Sequence, residues 1–186
     1  MMKRILICSI AASVLLVSCN NQQQPAATAP AVSSDVTKLE SKDVHGTITY
    51  KGSLHVFPST LTTDDPNNAS KNVTLEGIGV DIGENLGIRV MPALGVFDTL
   101  VSKTKKDLEF WGKYRRVEVK PNSFLYYYSK EIGGTEDKGY NFIVVIKGKS
   151  KQYEITGVGK TSLDPIADSA SAIKAMQVAL TFTPAD

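Results

Sequence analysis

The run Phe142-Ile143-Val144-Val145-Ile146 places five apolar residues in succession. Side chains of a strand alternate between the two faces of its sheet. A half-solvated strand would show a polar residue at every second position, and this run shows none. The pattern is that of a strand buried on both faces. A sheet holding such a strand needs apolar cover on each side, so the rest of the chain must supply two covering layers.

Strand patterns flank the run. Tyr153, Ile155 and Gly157 alternate with Gln152, Glu154 and Thr156, as in a strand covered on one face. Upstream, residues 124–128 are rich in aromatics, and Val117 and Val119 alternate with Arg116, Glu118 and Lys120. Pro121-Asn122 and the segment 132–139, with Gly133-Gly134, read as turns. Residues 73–82 are strand-like, and a change of apolar phase at Gly77-Ile78-Gly79 suggests a bulge or a closely packed strand. Leu86, Ile88 and Val90 form another strand. Val44, Gly46, Ile48 and Tyr50 alternate with polar residues and either continue through Leu54 and Val56 or return as a hairpin across Lys51-Gly52. Residues 58–72 are rich in Pro, Thr, Asp, Asn and Ser and read as a loop.

Two segments carry a helical period instead. Phe97, Leu100, Val101, Thr104, Leu108 and Trp111 step along one face of a helix over 97–112. Asp98 either caps this helix or sits in its first turn, where a negative charge meets the positive end of the helix dipole, and Gly112 is a natural terminator. A second helix is expected over 165–181. Asp164 would cap it and Pro165 would take the first helical position. Ile166, Ala170, Ile173, Gln177 and Leu180 would share a face.

The expected class is therefore α+β: an antiparallel β-sheet covered by two helices, about 97–112 and 165–181. In order and pattern, the strand 140–146, the hairpin Gly148-Lys149-Ser150-Lys151-Gln152-Tyr153 into residues 154–158, and the helix 165–180 resemble the PsbP-like α/β/α sandwich. The resemblance covers roughly residues 73–183. That fold occurs in photosystem II extrinsic proteins, in a Ran-binding nuclear-import factor and in small bacterial exported lipoproteins, so it implies no single activity.

The first eighteen residues have the layout of a secretory signal: Lys3 and Arg4, an apolar stretch over 5–17, then small residues. The stretch is shorter than the roughly 20 residues a membrane-spanning helix needs. Leu16-Val17-Ser18-Cys19 resembles the lipobox of bacterial lipoproteins. The resemblance implies cleavage before Cys19 and a diacylglycerol thioether on its sulfur, with palmitate-type acylation. It also implies an envelope protein held to the membrane by lipid. Asn20, in place of an aspartate, favours the outer membrane, facing the periplasm. Residues 19–42 are the lipidated N-terminus and a tether rich in Asn, Gln, Ala, Pro and Ser, with too little apolar surface to offset ordering entropy. No ordered strand is expected before Val44. Residues 43–186 read as one domain.

The chain holds 21 basic and 19 acidic residues. Lys3 and Arg4 leave with the signal, so 19 of each remain, and a neutral domain is a poor general nucleic-acid binder. Of the two cysteines, Cys8 leaves with the signal and Cys19 would carry lipid. The domain then has no thiol for a disulfide or a metal, and folding rests on its apolar core.

No catalytic motif stands out, and no metal site or cofactor is expected. If residues 44–56 formed one strand, His45 and His55 would lie ~33 Å apart. Gly77-x-Gly79-x-x-x-Gly83 precedes a strand, whereas a phosphate loop needs a helix after it. Asp64-Asp65-Pro66-Asn67-Asn68 is oxygen-rich but lacks calcium-loop spacing and reads as Asx turns. The aromatic cluster offers a candidate binding surface: Trp111, Tyr114, Tyr126, Tyr127 and Tyr128. Alternation puts Tyr126 and Tyr128 on one sheet face and Tyr127 on the other. Three functional classes follow. The first is a non-catalytic binding or assembly module with an envelope protein partner, a toxin-immunity type among them. The second is an envelope hydrolase whose site assembles only in space. The third is a small-ligand carrier using the aromatic face.

Overall fold

The computed structural model describes residues 35–65, 67–83, 85–110, 114–131, 138–160 and 164–186. The signal at 1–18, Cys19 and the tether as far as residue 34 lie outside the described residues, as does Trp111.

The elements run β1 (Asp35–Glu40), β2 (His45–Tyr50), β3 (His55–Asp65), β4 (Asn68–Gly83), β5 (Leu86–Ala93), α1 (Phe97–Phe110), β6 (Tyr114–Lys120), β7 (Ser123–Glu131), β8 (Lys138–Lys147), β9 (Gln152–Val158), α2 (Ser169–Ala179) and β10 (Thr183–Pro184). Seven strands form one antiparallel sheet in the order β3-β4-β5-β9-β8-β7-β6, and β1-β2-β10 form a small second sheet. The class is α+β.

β8 lies between β7 and β9, as its doubly apolar pattern requires. Phe142, Val144 and Ile146 point into the main core, which also holds Ile155 of β9 and Ala172, Ala175, Val178 and Ala179 of α2. Ile143 and Val145 point the other way, against Phe97 and Val101 of α1. Helices therefore lie on opposite faces of the large sheet. The small sheet joins the α2 side, contributing Leu39 and Ile48, with Val44 from the β1–β2 turn and Phe182 from the segment after α2. Burying these aliphatic side chains stabilises the fold by roughly 1.5–3 kcal/mol each.

Four local expectations change. Strands replace the loop expected over 58–72: β3 and β4 continue as a long hairpin arm beyond the pairing of β4 with β5, as far as Asp65 opposite Asn68. Its backbone groups pair across the two strands, and Thr62 and Thr74 hydroxyls meet at 3.2 Å. Turn-type composition here marks a strand pair with little to bury, since β3 is exposed along most of its length. The Asx turns remain at the tip, where the Asn67 amide donates to Asp65 Oδ1 at 2.8 Å. β1 forms within the segment read as tether; it buries only Leu39 and is held by backbone pairing to β2. β2 and β3 belong to different sheets, so neither a single strand nor a hairpin joins them.

The fourth change is the start of α2, at Ser169 instead of 165. Ile166 exchanges backbone hydrogen bonds with Tyr140, at 2.7 and 2.8 Å, which holds this segment extended. The cap is Asp168, whose carboxylate accepts the Ser171 amide at 2.9 Å. The buried face is the alanine-rich one, and Ile173 stays 43% exposed. Small side chains let the helix axis approach the sheet closely. α1 runs to Phe110, and the expected end at 111–112 lies outside the described residues.

Candidate functional site

Sequence reasoning pointed to the aromatic strand. Tyr126 of β7 is fully buried and donates its hydroxyl to the Val101 carbonyl of α1 at 3.3 Å. Tyr127 lies on the opposite face, half-buried and stacked on Tyr140 with centroids 5.9 Å apart. Tyr114 and Tyr128 face each other in the β6–β7 register, but their side chains, like Trp111 and Cys19, lie outside the described residues. Tyr126 and Tyr127 are thus not brought together. His45 and His55 are exposed on different sheets. Among the described residues, no group of three His, Cys, Asp or Glu side chains could hold a metal ion.

The chemistry gathers elsewhere, on the part of the large sheet beside α1. The helix sits mainly on β7 and β8. β9, next along, records where that cover fails. Its Tyr153, Ile155 and Gly157, facing α2, are buried, whereas Glu154, Thr156 and Val158, facing the α1 side, are half-buried. Register brings Arg89 of β5 opposite Thr156 and Met91 opposite Glu154. β4 adds Gly79 opposite Arg89 and Asp81 opposite Gly87.

A cleft of about 500 Å³ opens on this face. The hairpin arm forms one wall with Leu61, Thr63 and Leu75, and α1 forms the other with Leu100 and Lys103. Met91 and Glu154 line it from β5 and β9, and Asp64 and Asp65 from the arm. A smaller hollow of about 40 Å³, lined by Phe57, Asp81 and Arg89 among others, lies on the same sheet. The glycines of β4 shape this floor by close approach. A Cβ at Gly79 would run into the Phe57 ring, and one at Gly77 would meet Met91 and, at 2.5 Å, the Val90 carbonyl. The 77–79 segment is thus a closely packed strand; the register irregularities of β4 fall elsewhere, at Asp64/Asp65 and Asp81/Gly83.

Two polar atoms on this sheet face lack partners among the described residues. Arg89 Nε and Thr156 Oγ1 are buried without a hydrogen bond. Buried polar atoms in native proteins are nearly always paired, so two orphans directly opposite each other single out this stretch of the sheet. Glu154 lies one alternate position from Thr156. Burial pushes its carboxyl above the usual range; Arg89 and Lys103 pull it back, and Asp107 adds to the rise. Perturbed acids in clefts are a common property of functional sites.

Periodicity did place Glu154 and Thr156 on one face of β9. It gave no sign that this face borders a cleft, because that depends on where a helix from another part of the chain comes to rest. No protein-family model, curated protein or solved structure matches the chain.

Proposed function

We propose that this chain is a lipid-anchored binding module of the bacterial cell envelope, held through Cys19 at the periplasmic side of the outer membrane. In this reading its ligand occupies the cleft between the β3–β4 arm and α1. The observation that carries it is Glu154, which lines that cleft without a direct partner among the described residues, beside the unsatisfied Arg89 Nε and Thr156 Oγ1 on the same sheet face. The signal layout and the lipobox at 16–19 support the anchor. The layering of helix, sheet and helix supports a PsbP-like sandwich. Binding fits better than hydrolysis: a nucleophile and its base stand in hydrogen-bond contact, and the cleft groups carry no such bond among the described residues.

The test has two arms. In a bacterial host, wild-type chain should incorporate labelled palmitate and fractionate with membranes, and Cys19→Ser should lose both. The full chain extracted in mild detergent should carry a non-covalent ligand by native mass spectrometry, and Leu61→Trp, which fills the cleft mouth, should lose it. A soluble, unlabelled wild type would refute the anchor. Equal ligand occupancy in wild type and Leu61→Trp would refute the cleft.

A further inference from the structure

We propose that the cleft receives a primary ammonium group carried on an apolar stem, with Glu154 as the residue that takes the ammonium. This rests on the cleft reading above and adds the chemical class of the ligand.

The walls suit the stem. Leu61, Leu75, Met91, Leu94 and Leu100 all line the cleft. An apolar chain laid against them is stabilised by the surface it removes from water.

The polar lining suits a cation. Glu154, Asp64 and Asp65 contribute three carboxyls, against the single ammonium of Lys103. An acidic lining alone would be a solvated rim. Glu154 is different. It projects from β9 on the sheet floor, and among the described residues no hydrogen bond or ion pair within 4 Å reaches its carboxyl. It is half-buried and has no direct partner. Arg89 and Lys103 act on it only from a distance. Arg89 lines the smaller hollow, outside the lining of the larger cleft. An anionic ligand would have to approach all three carboxyls of the larger cleft and would meet Lys103 alone. A ligand ammonium supplies what Glu154 lacks, a charge-assisted hydrogen bond in a partly dry site. A primary ammonium is compact and its three donors rotate freely. Such a group reaches the protein either as a free alkylamine or as the lysine side chain of a peptide.

Methyl NMR of the full detergent-solubilised chain can test this. Met91 lines the cleft and Met176 packs on the main core, so a ¹³C-methyl methionine label gives a reporter and an internal control. The probes are n-butylammonium, n-butanol, acetyl-Gly-Lys-Gly-amide and the same peptide with an acetylated lysine.

Butylammonium should shift the Met91 methyl saturably and leave Met176 unmoved, with butanol at least tenfold weaker. Glu154→Gln should weaken butylammonium at least tenfold and leave butanol unchanged, its two methyl signals confirming the fold. Binding of the free-lysine peptide but not the acetylated one supports a protein source; binding of butylammonium alone supports a small amine. Equal affinity for butanol, or full affinity in Glu154→Gln, overturns the ammonium assignment while leaving the cleft as a binding site. A Met91 signal that no probe moves also overturns it, and the cleft reading is then judged separately by the Leu61→Trp result.

Discussion

Arg89 and Thr156 stand opposite each other on β5 and β9, and each buries a polar atom that no hydrogen bond satisfies. A buried unsatisfied hydroxyl costs about 1–3 kcal/mol, and an apolar group of the same shape carries no such cost. Thr156→Val keeps the β-branched shape that suits a strand. We expect it to stabilise the ligand-free protein by roughly 1 kcal/mol in urea denaturation. A loss of stability would mean that the hydroxyl already has a partner in the free protein.

Glu154 makes stability depend on pH in the opposite sense from an ion-paired acid. Its pKa is raised in the folded state from the ordinary 4.5, mainly by burial. The folded protein therefore binds this proton more tightly than the unfolded chain does. Its contribution is fully present below about pH 4.5 and is lost as pH rises through the higher folded value. Arg89 and Lys103 limit the rise in its pKa, and Asp107 adds to it. Glu154→Gln stays neutral throughout. Its denaturation midpoint should match wild type near pH 4 and exceed it at pH 7.5. A variant less stable than wild type at pH 7.5 would refute the assignment.

These groups explain why the fold was more legible than the site. The five-residue apolar run of β8 carries its own answer, because burial on both faces leaves no polar position. α1 was legible for the same local reason: Phe97 and Val101 recur on one face and meet Val145 there. β3 was not legible. Its Thr and Asp residues satisfy their backbones in a two-stranded arm that buries little, so composition resembled a loop. The start of α2 was misplaced because Asp164-Pro165 and Asp168-Ser169 both look like helix openings. The choice is made by Tyr140, a residue far off in sequence, which binds Ile166 in extended form. The cleft depends on that kind of long-range placement throughout.

Asp186 ties the far end of the chain to the β8–β9 turn. Its Oδ2 accepts the Ser150 amide and hydroxyl, both at 3.0 Å, and the Lys151 amide at 2.8 Å. Burial works against its ionisation, but these donors together outweigh that effect and hold the pKa below 3.8. A lowered folded pKa stabilises at pH above the unfolded value and stops doing so as pH falls through the folded one. Asp186→Ala should cost roughly 1–2 kcal/mol at pH 7, a figure kept small by the site's solvent exposure. The difference from wild type should shrink below pH 3.8. A cost that does not change between pH 7 and pH 2.5 would show that lost packing, not the carboxylate, is responsible.

The N-cap of α2 separates two aspartates that look alike in sequence. Asp168 accepts the Ser171 amide at 2.9 Å and the Ser171 hydroxyl at 2.7 Å, and those bonds lower its pKa from 3.8. A cap of this kind satisfies an amide that the first helical turn leaves unpaired. Asp164 instead uses its backbone carbonyl, which accepts the Gly159 amide at 3.0 Å. Asp168→Ala should therefore lower the melting temperature and speed hydrogen exchange at the Ser171 amide. Asp168→Asn should restore much of the loss, because asparagine also caps well. Asp164→Ala keeps the carbonyl that Gly159 uses and should leave exchange at Ser171 unchanged. A slower Ser171 amide in Asp168→Ala, or a fast one in Asp164→Ala, would move the start of the helix back to residue 165.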